Sequence, residues 1–111
     1  MPSPVHTLSH PVDLVHLSRR TAGDRSLERE VLSLFVRQCD VYLERLHCAK
    51  DAPSRRDAAH ALKGSARAVG AFELARAADE MECEATCDCG RLDREVAQAS
   101  AYVLALLRDL H

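Results

Sequence analysis

Leu27, Val31, Leu34, Phe35, Tyr42 and Leu46 recur mostly three, four or seven residues apart, with polar side chains between them. That period gathers apolar side chains on one helical face and predicts a long amphipathic helix over residues 25–48. Four other segments are read as helices too. Residues 11–20 predict a short first helix, with Val12, Leu14, Val15 and Leu17 available for burial. A third helix runs to Val69 and turns Ala59, Leu62, Ala66 and Val69 inward. A fourth, over 71–87, does the same with Leu74, Ala75, Ala78, Met81 and Ala85. The last, over 92–110, aligns Leu92, Val96, Ala99, Val103, Leu106 and Leu110.

Short breaks separate these segments. Thr21-Ala22-Gly23-Asp24 ends the first helix, and Asp24 is placed to cap the second. Lys50 to Pro53 forms the next turn; Asp51 is a candidate cap, and Pro53 is tolerated in a first turn, where its missing N–H costs little. Gly70 permits a change of direction, and Asp88-Cys89-Gly90 makes the last turn. Connections this short favour antiparallel neighbours. The expected fold is all-α: an up-down-up-down four-helix bundle with a short additional N-terminal helix across one end. Residues 1–10, with Pro2, Pro4, two serines and two histidines, are expected to form a flexible tail, and 11–111 a single domain.

Composition narrows the function classes. A formal net charge of −2 argues against a general nucleic-acid binder. No apolar run approaches the ~20 residues of a membrane span, and the first residues lack the basic and apolar regions of a secretory signal. Five cysteines in a helical chain follow no disulfide framework and are expected to be reduced thiols, which suits the cytoplasm. Cys83, Cys87 and Cys89 straddle a helix end, a spacing unlike the loop pairs of structural zinc, so no metal is expected. Cys39 is expected inside the core, and His47 to face the negative end of its helix.

His60-Ala61-Leu62-Lys63-Gly64-Ser65-Ala66 carries the chemistry. Spacings of three and four set Lys63 and Gly64 on the face of His60, with Arg56 and Arg67 one turn before and two turns after. Three cations around one imidazole disfavour its protonated form and favour a neutral, nucleophilic ring. The same cations offset the charge of a phosphorylated ring, and Gly64 leaves room for a partner. Residues 54–70 carry net charge +3, whereas residues 71–89 carry −5. Because Leu62 and Ala66 are in register for burial, His60 is turned outward.

Ala58 to Ala71, built around His60, Lys63 and Gly64, resembles the signature of histidine-containing phosphotransfer (HPt) domains. Leu74-Ala75, Ala78 and Met81-Glu82 are similar to that family's next helix, and Phe35 to Leu46 to the preceding one; the resemblance covers residues 11–110. It implies a phosphocarrier rather than an enzyme, with His60 as phosphoacceptor, Lys63 stabilising the phosphoryl oxygens and Gly64 giving access. Glu82 stands where many members have a polar residue, often Gln, that hydrogen-bonds the imidazole. A carboxylate there is a departure, and an ordinary solvated glutamate is the alternative. The resemblance further implies relay between receiver-domain aspartates of response regulators and a hybrid histidine kinase. No cofactor is expected on this chain, since Mg²⁺ belongs to the receiver. A chain opening on Met1 is expected to be a free-standing, monomeric carrier. Arg56 and Arg67 are expected to meet the acidic receiver, with exposed members of Val12, Leu14, Val15 and Leu17 adding apolar contact. A helical adaptor that binds receivers or other signalling proteins without phosphotransfer is the alternative; the intact His60, Lys63 and Gly64 set favours the carrier.

Overall fold

Three aspartates begin three of the helices. Asp13 accepts from the N–H groups of Val15 and His16 at 3.0 and 3.1 Å, Asp24 from Leu27 at 3.0 Å, and Asp51 from Ser54 at 2.8 Å. Each satisfies donors that the first helical turn leaves unpaired. The computed structural model describes residues 10–84 and 89–109. Its helices are α1 (Leu14–Thr21), α2 (Arg25–Cys48), α3 (Ala52–Val69), α4 (Phe72–Glu84) and α5 (Gly90–Asp109). Residues 1–9 of the expected 1–10 tail, and Ala85, Cys87, Asp88, Leu110 and His111, lie outside the described residues.

The architecture is the four-helix bundle that the periodicity predicts. Among the described residues, α2 packs on α3, α3 on α4 and α4 on α5, and α5 returns to α2; α1 touches α2 and α3. Leu32, Phe35, Cys39 and Leu46 from α2, Leu62 and Val69 from α3, Leu74 and Met81 from α4, and Leu92, Val96 and Val103 from α5 form one continuous core. Burial pushes the Cys39 thiol up to about 12, with the neighbouring Asp40 adding to the shift, so it behaves as an apolar packing group. The expected inward stripe of α3 is buried at all four positions.

Several boundaries and faces differ from expectation. The first helix starts at Leu14, not Pro11, because the Asp13 cap fixes its origin; Val12 is wholly buried just before it, while Leu14 and Val15 are exposed. On α2, Leu27 and Leu34 are exposed, and Leu32 takes the core position instead. The buried row therefore runs through 32, 35, 39 and 46, and the row through 27, 31 and 34 faces the flank of α3. The fifth helix begins at Gly90, two residues early: the Cys89 carbonyl accepts from Asp93 N–H at 2.8 Å and extends the helix backwards. Leu106 is only partly buried, although it packs on the core. His47, at the end of α2, meets Asp93 of α5 at 2.7 Å as well as standing at its own helix terminus.

The α3–α4 turn is the tightest part of the fold. Gly70 adopts φ +81°, donates to Arg67 at 3.2 Å, and its carbonyl accepts from Asp13 N–H at 2.9 Å. Ala71 N–H donates to Ala66 at 2.8 Å. These bonds close the end of α3 and clip the start of α1 to it. A Cβ at position 70 would lie 3.0 Å from both the Cβ and the carbonyl oxygen of Asp13. Gly70→Ala is therefore expected to destabilise the protein by about 2 kcal/mol or more, about 1–2 from the left-handed backbone and the rest from displacing Asp13. Urea unfolding checks this; a variant as stable as wild type would show that the clip is loose.

Candidate functional site

Burial of Ala59, Leu62 and Ala66 fixes the rotation of α3 about its axis, so His60 turns outward. Its side chain is 69% exposed, while Lys63, one turn on, is only 13% exposed. The lysine lies with its stem covered, and its ammonium emerges between two carboxylates of α4. Its Nζ is 2.6 Å from Glu82 Oε1 and 3.0 Å from Asp79 Oδ1. Asp79 and Glu82 are three residues apart and so share one face of α4. The second oxygen of Glu82, Oε2, lies 2.8 Å from His60 Nδ1. One carboxylate thus bridges the lysine and the imidazole.

Glu82 accepts in this arrangement, so the ring nitrogen facing it is the protonated one. Nδ1 carries the hydrogen, and in the neutral form of the ring the lone pair then stands on Nε2. Lys63 foremost, and His60 after it, hold the Glu82 carboxyl below the usual glutamate range against the opposing effect of burial. Glu82 and then Asp79 raise Lys63 above the usual lysine range. Glu82's contribution to stability is full above the ordinary carboxylate range and lost as pH falls through its depressed value. That of Lys63 is full below the ordinary lysine value and lost as pH rises through its raised one. The pair is intact across neutral pH.

The structure thus joins His60, Lys63 and Glu82, and of the two readings of Glu82 it supports contact with the imidazole. It also changes the electrostatic picture. The basic segment 54–70 and the acidic segment 71–89 lie on adjacent helices, and the Lys63 charge is matched by two carboxylates rather than directed freely at the ring. Arg56 and Arg67 are exposed on α3 and are not part of this contact. Asp79 is the participant that sequence reasoning missed. Its signal was present: an acid three residues before Glu82, in a segment whose charge opposes that of the previous helix.

Gly64 is exposed, and a Cβ built there meets nothing within 4 Å. Neither its backbone nor the local packing demands glycine, and the space above it is open. Beside it, Leu27, Val31 and Leu34 of α2 and Ser65 and Ala68 of α3 line a shallow recess of about 250 Å³. Gln38 spans this junction, accepting from the Ser65 hydroxyl at 2.8 Å. This recess lies one to two turns beyond His60 along α3, and Arg20 and Thr21 of α1 close its far side, whereas the α1 candidates Leu14 and Val15 line a different recess with Phe72 and Tyr102. Val12 and Leu17 are buried. Cys83 is exposed and Cys89 half-buried.

The Hpt domain family model matches residues 30–110, most of the chain and all three helices around the site. The chain belongs to the Hpt domain family. The crystal structure of the histidine phosphotransferase ShpA from Caulobacter crescentus is similar to it at 32% sequence identity and a TM-score of 0.57, covering 90% of this chain and 86% of ShpA. No curated protein matches the chain. Hpt domains are histidine phosphotransfer carriers, and this chain has that role. No helix among the described residues is long and apolar enough to cross a membrane.

Removing the lysine charge tests the bridge. In Lys63→Met the Glu82 carboxyl is expected to titrate at higher pH than in wild type, because its main stabilising partner is gone. Side-chain carboxyl NMR reads this directly. An unchanged Glu82 midpoint would mean that the lysine does not hold this carboxylate in solution.

Proposed function

We propose that this Hpt domain relays a phosphoryl group between receiver-domain aspartates of a cytoplasmic phosphorelay, with His60 as acceptor at Nε2. The observation that carries the reading is the exposed His60 ring held at Nδ1 by Glu82, beside Lys63. Phosphoryl transfer asks mainly for positioning and for charge neutralisation. The Nδ1 contact positions the ring and leaves Nε2 free to attack along the line of the departing aspartate oxygen. Lys63 stands one turn away as the nearby cation for the phosphoryl oxygens. The receiver supplies the aspartate and its Mg²⁺.

The docking face follows from the same geometry. His60, Gly64 and Ala68 form one row on α3, and the exposed Leu27 and Leu34 flank it across the recess. Arg56 and Arg67 extend that face and complement an acidic receiver, an effect that acts chiefly on association rate. A hybrid histidine kinase is the class of protein that would feed such a relay.

His60→Gln is expected to keep the helical fold and lose all acceptance of phosphate from a phosphorylated receiver, measured by radiolabel transfer. Label of wild-type intensity in that variant would reject the assignment.

Gly64→Gln separates access from stability. Glutamine is the better helix former by roughly 0.5–1 kcal/mol, and the open space accommodates it. Thermal stability should hold or rise while transfer falls by about tenfold or more, by analogy with other misplaced docking contacts. Wild-type transfer rates would mean that the partner does not approach over Gly64.

A further inference from the structure

Glu82 has a consequence for the return leg of transfer. This inference rests on His60 being the phosphoacceptor. On the forward leg the Nε2 lone pair attacks phosphorus. The P–O bond to the receiver aspartate breaks, and its electron pair stays on the aspartate oxygen. The ring then carries phosphorus on Nε2 and a proton on Nδ1, and is cationic. On the return leg an aspartate oxygen attacks phosphorus, the P–N bond breaks, and its pair returns to Nε2. If Nδ1 still holds its proton, the leaving group is a neutral imidazole. If the proton has been lost to solvent, the leaving group is an imidazolate, a far poorer one. The state of Nδ1 therefore decides how readily the phosphoryl group moves on.

We infer that Glu82 is a positioning residue that keeps the Nδ1 proton on phosphorylated His60, so that the carried phosphoryl group stays ready to transfer as pH rises. The geometry supports this in two ways. Glu82 Oε2 lies 2.8 Å from Nδ1, where a carboxylate stabilises a ring cation and a neutral amide would do so far less. Its other oxygen is bound by Lys63 at 2.6 Å, and Lys63 in turn by Asp79 at 3.0 Å. That lysine makes the carboxylate a weaker base, so it holds the proton on nitrogen instead of removing it.

The other charged groups near α3 are arranged differently. On α3 itself, Arg56, Lys63 and Arg67 oppose a ring cation, while Asp57 favours one. From α2, Arg45 and Tyr42 line a recess with Asp57 and Ala61. From α4 come Asp79, committed to Lys63, and the exposed thiol of Cys83; Arg76, a turn earlier, is held by Glu73. From α1, Asp13 meets α3 at Gly70. Among the described contacts, Glu82 is the carboxylate bonded to the ring.

The experiment needs no partner protein. The wild-type chain, Glu82→Gln, Glu82→Asp and Asp79→Asn are phosphorylated with phosphoramidate, with His60→Gln as control and circular dichroism confirming the fold. Phosphoryl loss from His60 is followed against pH by phosphorus NMR, and the ring proton by nitrogen NMR of the phosphorylated histidine. A protonated ring loses phosphate faster, so the rate is high at low pH and falls as Nδ1 deprotonates. In Glu82→Gln the midpoint of that fall should move down by about half to one pH unit, allowing for the ring's exposure. Above the midpoint the phosphorylated variant should then live about three- to tenfold longer than wild type. Glu82→Asp keeps the charge but withdraws it from Nδ1, and should move the midpoint the same way. Asp79→Asn removes a charge without touching the ring and should move it much less. Coincident midpoints for wild type and Glu82→Gln would overturn the inference. So would an equal shift in Asp79→Asn, which would make the effect one of general acidity, or a wild-type midpoint in Glu82→Asp. If His60→Gln takes up as much phosphate as wild type, the acceptor assignment itself fails.

Discussion

The seam between α3 and α4 governs the site. It is the most extensive helix–helix contact in the bundle, and short buried side chains stand beside the site on both helices: Ala59 and Ala66 on α3, Ala75 and Ala78 on α4. Short side chains let two helices approach closely, and interhelical distance follows the size of the residues at the contact. Close approach is what allows a glutamate on one helix to reach an imidazole on the next within hydrogen-bond distance. Leu62, Leu74 and Met81 supply the bulk that holds the seam together from within. Larger residues in place of the alanines would push α4 away and separate Glu82 from His60 without touching either.

The seam also joins two segments of opposite charge. Each helix carries an excess that alone would repel charges within itself, and each offsets the other. Lys63 is the point where this matters most, because its stem is covered while its ammonium stays at the surface. A lysine so placed cannot extend freely into solvent, and its alternatives are the two carboxylates or an arriving anion. One ammonium against two carboxylates leaves the cluster net negative before phosphorylation, and an arriving phosphoryl group competes with Asp79 and Glu82 for the same cation.

Much of this was legible in the residue pattern. The buried positions of α3 followed from spacing alone, and with them the outward direction of His60. Caps at Asp24 and Asp51 were readable because one carboxylate at a helix start satisfies local donors, a matter of a few residues. What was not legible depended on neighbours distant in sequence. Leu27 and Leu34 fit the apolar period of α2 as well as Leu32 does, and only the placement of α3 decides which row is covered. Asp79 is an unremarkable acid until α4 is laid beside α3. The origin of α1 depended on Asp13 competing with Pro11 for the helix start, and on a backbone bond to Gly70 more than fifty residues away.

Gly70 and Ala71 alone separate α3 from α4, and this brevity gives the connection the character of a gear. An α-helix turns about 100° per residue. Adding or deleting a single residue here would rotate α4 by that angle relative to α3, carrying Glu82 and Asp79 off the side that faces Lys63 while leaving the amino acids of both helices unchanged. The bundle could re-form its core around other small side chains, yet the proton-holding contact would be gone. Length drift at this turn is therefore closed to the protein as a route of change, even though every side chain of the site lies elsewhere.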